Sequence, residues 1–181
     1  MKSILLYCLM FFCGLSIFAQ DDIKTHGIYY KISLATTLTI NKDYTFDSED
    51  DSGPLINPSA LFVNNTVGYQ FDERSMIGFN LEYDYHSQQG LHFMPAYLNF
   101  QYHIITSDIP FFIRGGYGRL LNVGTSFEKG TLYKVGLGAQ FYDDNYKNSI
   151  HLGFDFTRKR FGFKQEDKLS SVSIFLEFMV F

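Results

Sequence analysis

From Thr25 to Phe181 the chain runs through eight short segments in which apolar and polar residues alternate, and within each segment the apolar set keeps one parity. Ile77, Phe79, Leu81, Tyr83 and Tyr85 interleave with Gly78, Asn80, Glu82 and Asp84. Ile150, Leu152, Phe154 and Phe156 interleave with His151, Gly153, Asp155 and Thr157. A period of two marks a β-strand with chemically different faces. Ionisable residues recur on the second face, which a soluble sheet would expose to water. An even number of such strands, greasy on one side and charged on the other, is what a closed transmembrane β-barrel requires. The expected fold class is all-β: an eight-stranded antiparallel up-and-down barrel.

The remaining segments obey the same rule. The first, 26–37, sets Ile28, Tyr30, Ile32 and Leu34 against Tyr29, Lys31, Ser33 and Ala35; the second, 59–71, sets Leu61, Val63, Val67, Tyr69 and Phe71 against Asn64, Thr66, Gly68 and Gln70. The third is 76–86. The fourth, 92–105, opposes Leu98, Phe100 and Tyr102 to Asn99, Gln101 and His103. In the weaker fifth, 111–119, Ile113 and Tyr117 face away from Arg114, Gly116 and Gly118. The sixth, 132–142, opposes Tyr133, Val135 and Leu137 to Lys134, Gly136 and Gly138. The seventh is 150–157, and the eighth, 171–181, opposes Val172, Ile174, Leu176 and Phe178 to Ser173, Phe175, Glu177 and Met179. Twenty Phe and 13 Tyr without a Trp suit a barrel whose outside carries the grease. Tyr83, Tyr85, Tyr117 and Tyr133 fall at one end of their strands, and Tyr69, Phe71, Tyr102, Phe111 and Phe141 at the other, as two aromatic girdles.

The N-terminus sets the compartment. Lys2, the apolar run from Ile4 to Phe18, small residues at Ser16 and Ala19, and then Asp21 and Asp22 follow the layout of a secretory signal peptide. Cleavage is expected after Ala19, with Gln20 as the alternative, which leaves residues 20–181 as one barrel domain. Cys8 and Cys13 depart with the leader, so thiolate, disulfide and Cys-nucleophile chemistry are excluded from the mature chain. Losing Lys2 shifts the net charge from −4 to −5, which argues against a nucleic-acid partner.

Connections alternate in length. Residues 72–75, 106–110 and 143–148 make tight polar turns, while 38–58, 87–91, 120–130 and 159–170 are mostly longer. Short periplasmic turns and longer outer loops are the outer-membrane habit. With this pattern the chain resembles the small eight-stranded outer-membrane barrels, the OmpX-like and OmpA-transmembrane group and the "outer membrane protein β-barrel" families of Bacteroidota. The Ile17-Phe18-Ala19-Gln20 ending is similar to Bacteroidota export signals, and the final Phe181 is similar to that group's assembly signal. Residues 179 and 177, however, are Met and Glu rather than an apolar set sharing its face. The resemblance implies the cell outer membrane as location, lipid and lipopolysaccharide as surroundings, and the barrel-assembly machinery as a partner during biogenesis.

An eight-stranded barrel is only wide enough inside for side chains. The inward ionisable set is Lys31, Glu82, Asp84, Arg114, Lys134, Asp155 and Glu177, and desolvated charges must pair. Strand proximity predicts Lys31 with Glu177 and Lys134 with Asp155, with Arg114 reaching Glu82 across the lumen. His103 and His151 read as polar filling. The expected result is a closed polar lumen without cofactor or metal.

The loops hold what remains of function. The first is acidic at Asp43, Asp47, Glu49, Asp50 and Asp51, a distant match to a calcium loop that lacks its closing acid. The last is basic, with Arg158, Lys159, Arg160, Lys164 and Lys168 around Phe161 and Phe163. It suits phosphates of lipopolysaccharide, an envelope protein, or the acidic loop beside it. Asp84, His86, Ser87 and His92 cluster in sequence at one strand end, the residue types of a base-assisted nucleophile. The expected role is a non-catalytic structural or interaction protein acting through charged outer loops. A lipid A-modifying enzyme and a narrow channel for small hydrophobic solutes, opening through the Gly-rich fifth strand, are the alternatives. N-terminal sequencing of membrane-extracted protein tests the leader: Gln20 or Asp21 is expected first, and an intact Met1 contradicts it.

Overall fold

The computed structural model describes residues 26–40, 56–87, 89–124, 126–144 and 147–181. The expected leader, residues 1–19, and the acidic segment with Asp43, Asp47, Glu49, Asp50 and Asp51 lie outside these. The strands are β1 (Gly27–Ile40), β2 (Ile56–Gln70), β3 (Ser75–His86), β4 (Leu91–Phe93), β5 (Pro95–Ile105), β6 (Phe111–Leu120), β7 (Gly130–Tyr142), β8 (Asn148–Phe161) and β9 (Asp167–Val180). The short β4 and β5 are two pieces of one barrel strand. Both pair with β3 in a single register, from Asp84 opposite Phe93 to Ser75 opposite Tyr102. The break falls at Met94 and Pro95, where the proline has no N–H to give the ladder.

Every strand pairs antiparallel with its neighbours in the chain, and β1 pairs with β9, so eight strands close on themselves. Closure removes the free edges through which sheets aggregate and satisfies the backbone internally. The Gly-rich β6 is laddered along its length to β5 and to β7, so the wall there is closed rather than open. At one end the strands are joined by tight turns. In the first of these, Asp72 Oδ1 accepts the backbone N–H groups of Arg74 at 2.8 Å and Ser75 at 2.6 Å. Those two donors hold the Asp72 carboxyl below its usual range. A single 3-10 turn, Phe163–Gln165, lies in the last connection at the opposite, loop end.

Alternation decides which residues go inside. Ile28, Leu34, Phe79, Leu98, Val135, Leu137, Phe154 and Leu176 all stand exposed on the outer wall, while Lys31, Gln101, His103, Asp155 and Glu177 are buried. Pairs of aromatic residues mark both rims: Tyr117 and Tyr133 at the loop end, with centroids 5.0 Å apart, and Tyr69 and Phe71 at the turn end, 5.4 Å apart. Several strands run further than the sequence pattern predicts, among them β8, which continues through Phe161, and β9, which begins at Asp167.

Room inside comes from glycine. Gly138 and Gly153 face one another on β7 and β8, and the rings of Phe112 and Phe175 lie over the space they leave. A Cβ at Gly153 would collide with the backbone of Leu137 and lie 2.6 Å from Gly138 Cα, atoms held by the ladder. Gly115, on the outer wall, has no heavy atom within 4 Å of where its Cβ would stand. Gly153→Ala is therefore expected to cost about 1–3 kcal/mol by overpacking, and Gly115→Ala to change little. Urea unfolding midpoints in lipid vesicles check this, and equal effects of the two substitutions would contradict it.

Candidate functional site

The lumen is a stack of three layers. At the turn end, Tyr29, Met76 and Met179 are buried together with Phe181 packed on them; the Tyr29 and Phe181 rings meet edge-on at 6.5 Å. Phe181 follows the last paired residue, Val180, and its backbone N–H bonds the carbonyl of Lys147 at 3.1 Å. At the loop end, Phe93, Leu120 and Leu132 form a second apolar layer with Leu91, Phe161 and Leu169 against it. Between these two lies the charged layer.

Arg114 sits at the centre of that middle layer. Its Nε and Nη2 donate to the two oxygens of Asp155 at 2.9 and 2.7 Å, and its Nη1 donates to Glu177. The guanidinium carbon lies 3.8 Å from the Phe175 ring centre. On the turn-end side, Lys31 Nζ lies 3.4 Å and His151 Nδ1 3.3 Å from Glu177 Oε1. Lys31 donates onward to Gln101 at 3.2 Å, and Gln101 meets His103 at 3.4 Å.

Lys134 takes Glu82 as its near partner and lies 3.9 Å from Asp155. Tyr97 completes that pair, donating its hydroxyl to Glu82 at 2.9 Å while accepting from Lys134 at 3.2 Å. Of the expected pairings, Lys31 with Glu177 forms and Lys134 with Asp155 forms only as the longer of two contacts, whereas Arg114 pairs with Asp155 and Glu177 instead of Glu82. The reason lies in register. Arg114, Gly136 and Asp155 are aligned across β6, β7 and β8, and Gly136 has no side chain to separate the other two. A Cβ there would strike the Asp155 carboxylate. A planar guanidinium matches that carboxylate with two parallel bonds, which an ammonium does not do.

A further correction concerns Lys159, expected in the outer basic loop. It lies on β8 facing inward, 1 % exposed, with Nζ 2.7 Å from Asp84 and 3.0 Å from His86 Nε2. The Phe62 and Phe93 rings flank the ammonium at 4.9 and 4.8 Å. Parity already contained this, since Lys159 continues the inward series His151, Asp155, Thr157. Phe161 likewise ends β8 and packs on Phe93 at 5.1 Å rather than standing in a loop. Arg158 and Arg160 belong to β8 and face outward, whereas Phe163 and Lys164 occupy the 3-10 turn, with Phe163 81 % exposed.

The residues read as a nucleophile and its base are not assembled. Asp84 and His86 point into the barrel towards Lys159. Ser87 donates to the carbonyl of Ser59 at 3.0 Å. His92 meets the Tyr83 hydroxyl at 2.9 Å and stacks on Tyr85 at 4.9 Å. Among the described residues no three His, Cys, Asp or Glu side chains converge as a metal site would need.

No family model matches the chain, and no curated protein matches it in sequence. Solved structures do match in fold. The N-terminal β-barrel domain of Pseudomonas aeruginosa OprF superimposes with a TM-score of 0.52 at 11% identity, over 84% of this chain and 97% of that domain. Neisserial surface protein A (NspA) superimposes with a TM-score of 0.59 at 9% identity, over 85% of this chain and 96% of its own.

Removing Arg114 leaves Asp155 and Glu177 buried without their main partner, a loss of about 3–5 kcal/mol for a broken buried network. Arg114→Met is expected to lower the urea midpoint in vesicles accordingly. An unchanged midpoint would show that the network does not hold the barrel together.

Proposed function

We propose that this chain is an integral outer-membrane barrel with a closed lumen and no catalytic role, a structural or interaction protein that works through its outer surface. The observation that supports this most is the inversion of polarity. Apolar side chains cover the outside, and the ionised ones are sealed inside between two apolar layers. In water such a protein would aggregate through its wall; in a bilayer the same wall is satisfied. The short turns would then face the periplasm and the longer connections the exterior.

The sealed interior argues against conduction. Each charged residue of the lumen has an oppositely charged neighbour, and apolar side chains (Phe93, Leu120 and Leu132; Tyr29, Met76 and Met179) are buried towards its two ends. The split placement of Asp84, His86, Ser87 and His92 argues against the lipid A-modifying enzyme, and the full ladders on both sides of β6 against lateral solute passage. Export by a cleaved leader, assembly by the barrel-assembly machinery and kinship with Bacteroidota barrels belong to the same proposal.

Membrane fractionation and planar-bilayer recording test it. The protein is expected to sediment with outer-membrane markers and to give no stepwise conductance. Recovery in the soluble fraction would overturn the location, and regular single-channel steps would overturn the sealed lumen.

A further inference from the structure

Outside the lumen, the outer wall near the loop end carries a row of cations set by strand register. Arg119 on β6 stands opposite Thr131 on β7, Thr131 opposite Arg160 on β8, and Arg160 opposite Lys168 on β9. All four face outward. The next row, two residues nearer the turn end, runs Tyr117, Tyr133, Arg158, Ser170. Arg119, Arg160 and Lys168 are exposed, and Arg158 is half-buried. Like charges directly opposite each other on neighbouring strands repel, so Arg160 and Lys168 oppose their own pairing.

Among the described residues no acid pairs with them. Glu128, Glu166 and Asp167 lie near them in sequence and Asp155 faces inward, yet none of the four cations forms an ion pair with any described residue. The Nε of Arg158 is buried with no hydrogen-bond partner among the described residues. Thr131, between Arg119 and Arg160, is held from the turn above by Gln165 at 3.1 Å.

Directly below on the same strands the wall is hollow. The third row is Gly115, Val135, Phe156, Val172, with Phe100 beside Gly115 on β5. Gly115 has no side chain among these large neighbours, and an open groove runs along the wall here, lined in part by Phe100, Val135, Phe154, Phe156 and Val172. Rows along a strand are about 7 Å apart at two residues each. The groove therefore begins within one headgroup's reach of Arg158.

We propose that this face binds a phosphorylated lipid of the surrounding leaflet, with its phosphate on Arg119, Arg158, Arg160 and Lys168 and an acyl chain in the groove over Gly115. Charge chooses the headgroup, since unpaired guanidinium and ammonium groups recognise phosphate oxygens. The groove chooses a lipid over free phosphate. The site lies on the barrel wall, so the 3-10 turn with Phe163 and Lys164 is not needed for it. This inference rests on the membrane-spanning reading above.

Native mass spectrometry of the full chain in non-ionic detergent tests it, with dioleoyl phosphatidic acid, dioleoylglycerol and inorganic phosphate as separate probes. Phosphatidic acid is expected to be retained about tenfold better than dioleoylglycerol, and R160Q/K168Q to lose about tenfold of that retention. G115L, which puts a side chain into the groove and keeps every charge, is expected to weaken phosphatidic acid retention as well. Equal retention of dioleoylglycerol, or no loss in R160Q/K168Q, would overturn the phosphate site. Inorganic phosphate held as well as phosphatidic acid, or full retention by G115L, would overturn the lipid. Heat-modifiable gel mobility confirms that each variant is folded. Because binding is read on purified protein, its failure leaves the outer-membrane reading standing, and a failure of location leaves the binding result intact.

Discussion

The Arg114 guanidinium joins Asp155 and Glu177, carboxylates from β8 and β9, inside a barrel that buries all three side chains. Buried charges cost several kcal/mol each unless their partners are close and well aligned. Arg114 meets that condition through a backbone feature, the gap at Gly136 that lets a side chain of β6 cross β7 and reach β8. With Asp155 taken, Lys134 turns to Glu82 and Tyr97, and with Glu82 taken, Asp84 is left to Lys159. The order of pairing through the lumen follows from that one crossing.

The apolar layers at the two mouths do a different job. They keep water from the ion pairs, which strengthens each of them, because the same charges attract far more in a low dielectric. Phe93, Leu120 and Leu132 at one end and Tyr29, Met76 and Met179 at the other are as inward-facing as the charges they cover. A barrel built this way holds its polar specificity inside and an apolar wall outside. The exception on that wall is the sector from β5 to β9, where a missing side chain at Gly115 and a row of cations with no ion-pair partner among the described residues lie one above the other.

Much of the fold was legible in the residues because period two is a local signal. The faces of Lys31, Glu82, Asp84, Arg114, Lys134, Asp155 and Glu177 follow from parity alone, and so do the positions of the tight turns. Partner choice was not legible, because it depends on diagonal neighbours and on how far a side chain reaches over a glycine. The error at Lys159 came from composition: a run of Arg158, Lys159 and Arg160 reads as a loop, although alternation puts its middle member inside. The inward apolar layers were missed for a similar reason, since Phe62, Phe93 and Leu132 stand on the face assigned to polar residues. The cationic row needed register as well as parity, because Arg119 and Lys168 come 49 positions apart and meet the same row only through β7 and β8.

The central claim is that parity separates lipid from lumen, and the absence of Trp makes it directly measurable. A single Trp placed at Phe156, on the outer wall, or at Phe175, inside, reports its surroundings in vesicles containing brominated acyl chains. The account predicts strong quenching for Phe156→Trp and little for Phe175→Trp in folded, heat-modifiable protein. Equal quenching at the two sites, or the reverse order, would contradict it.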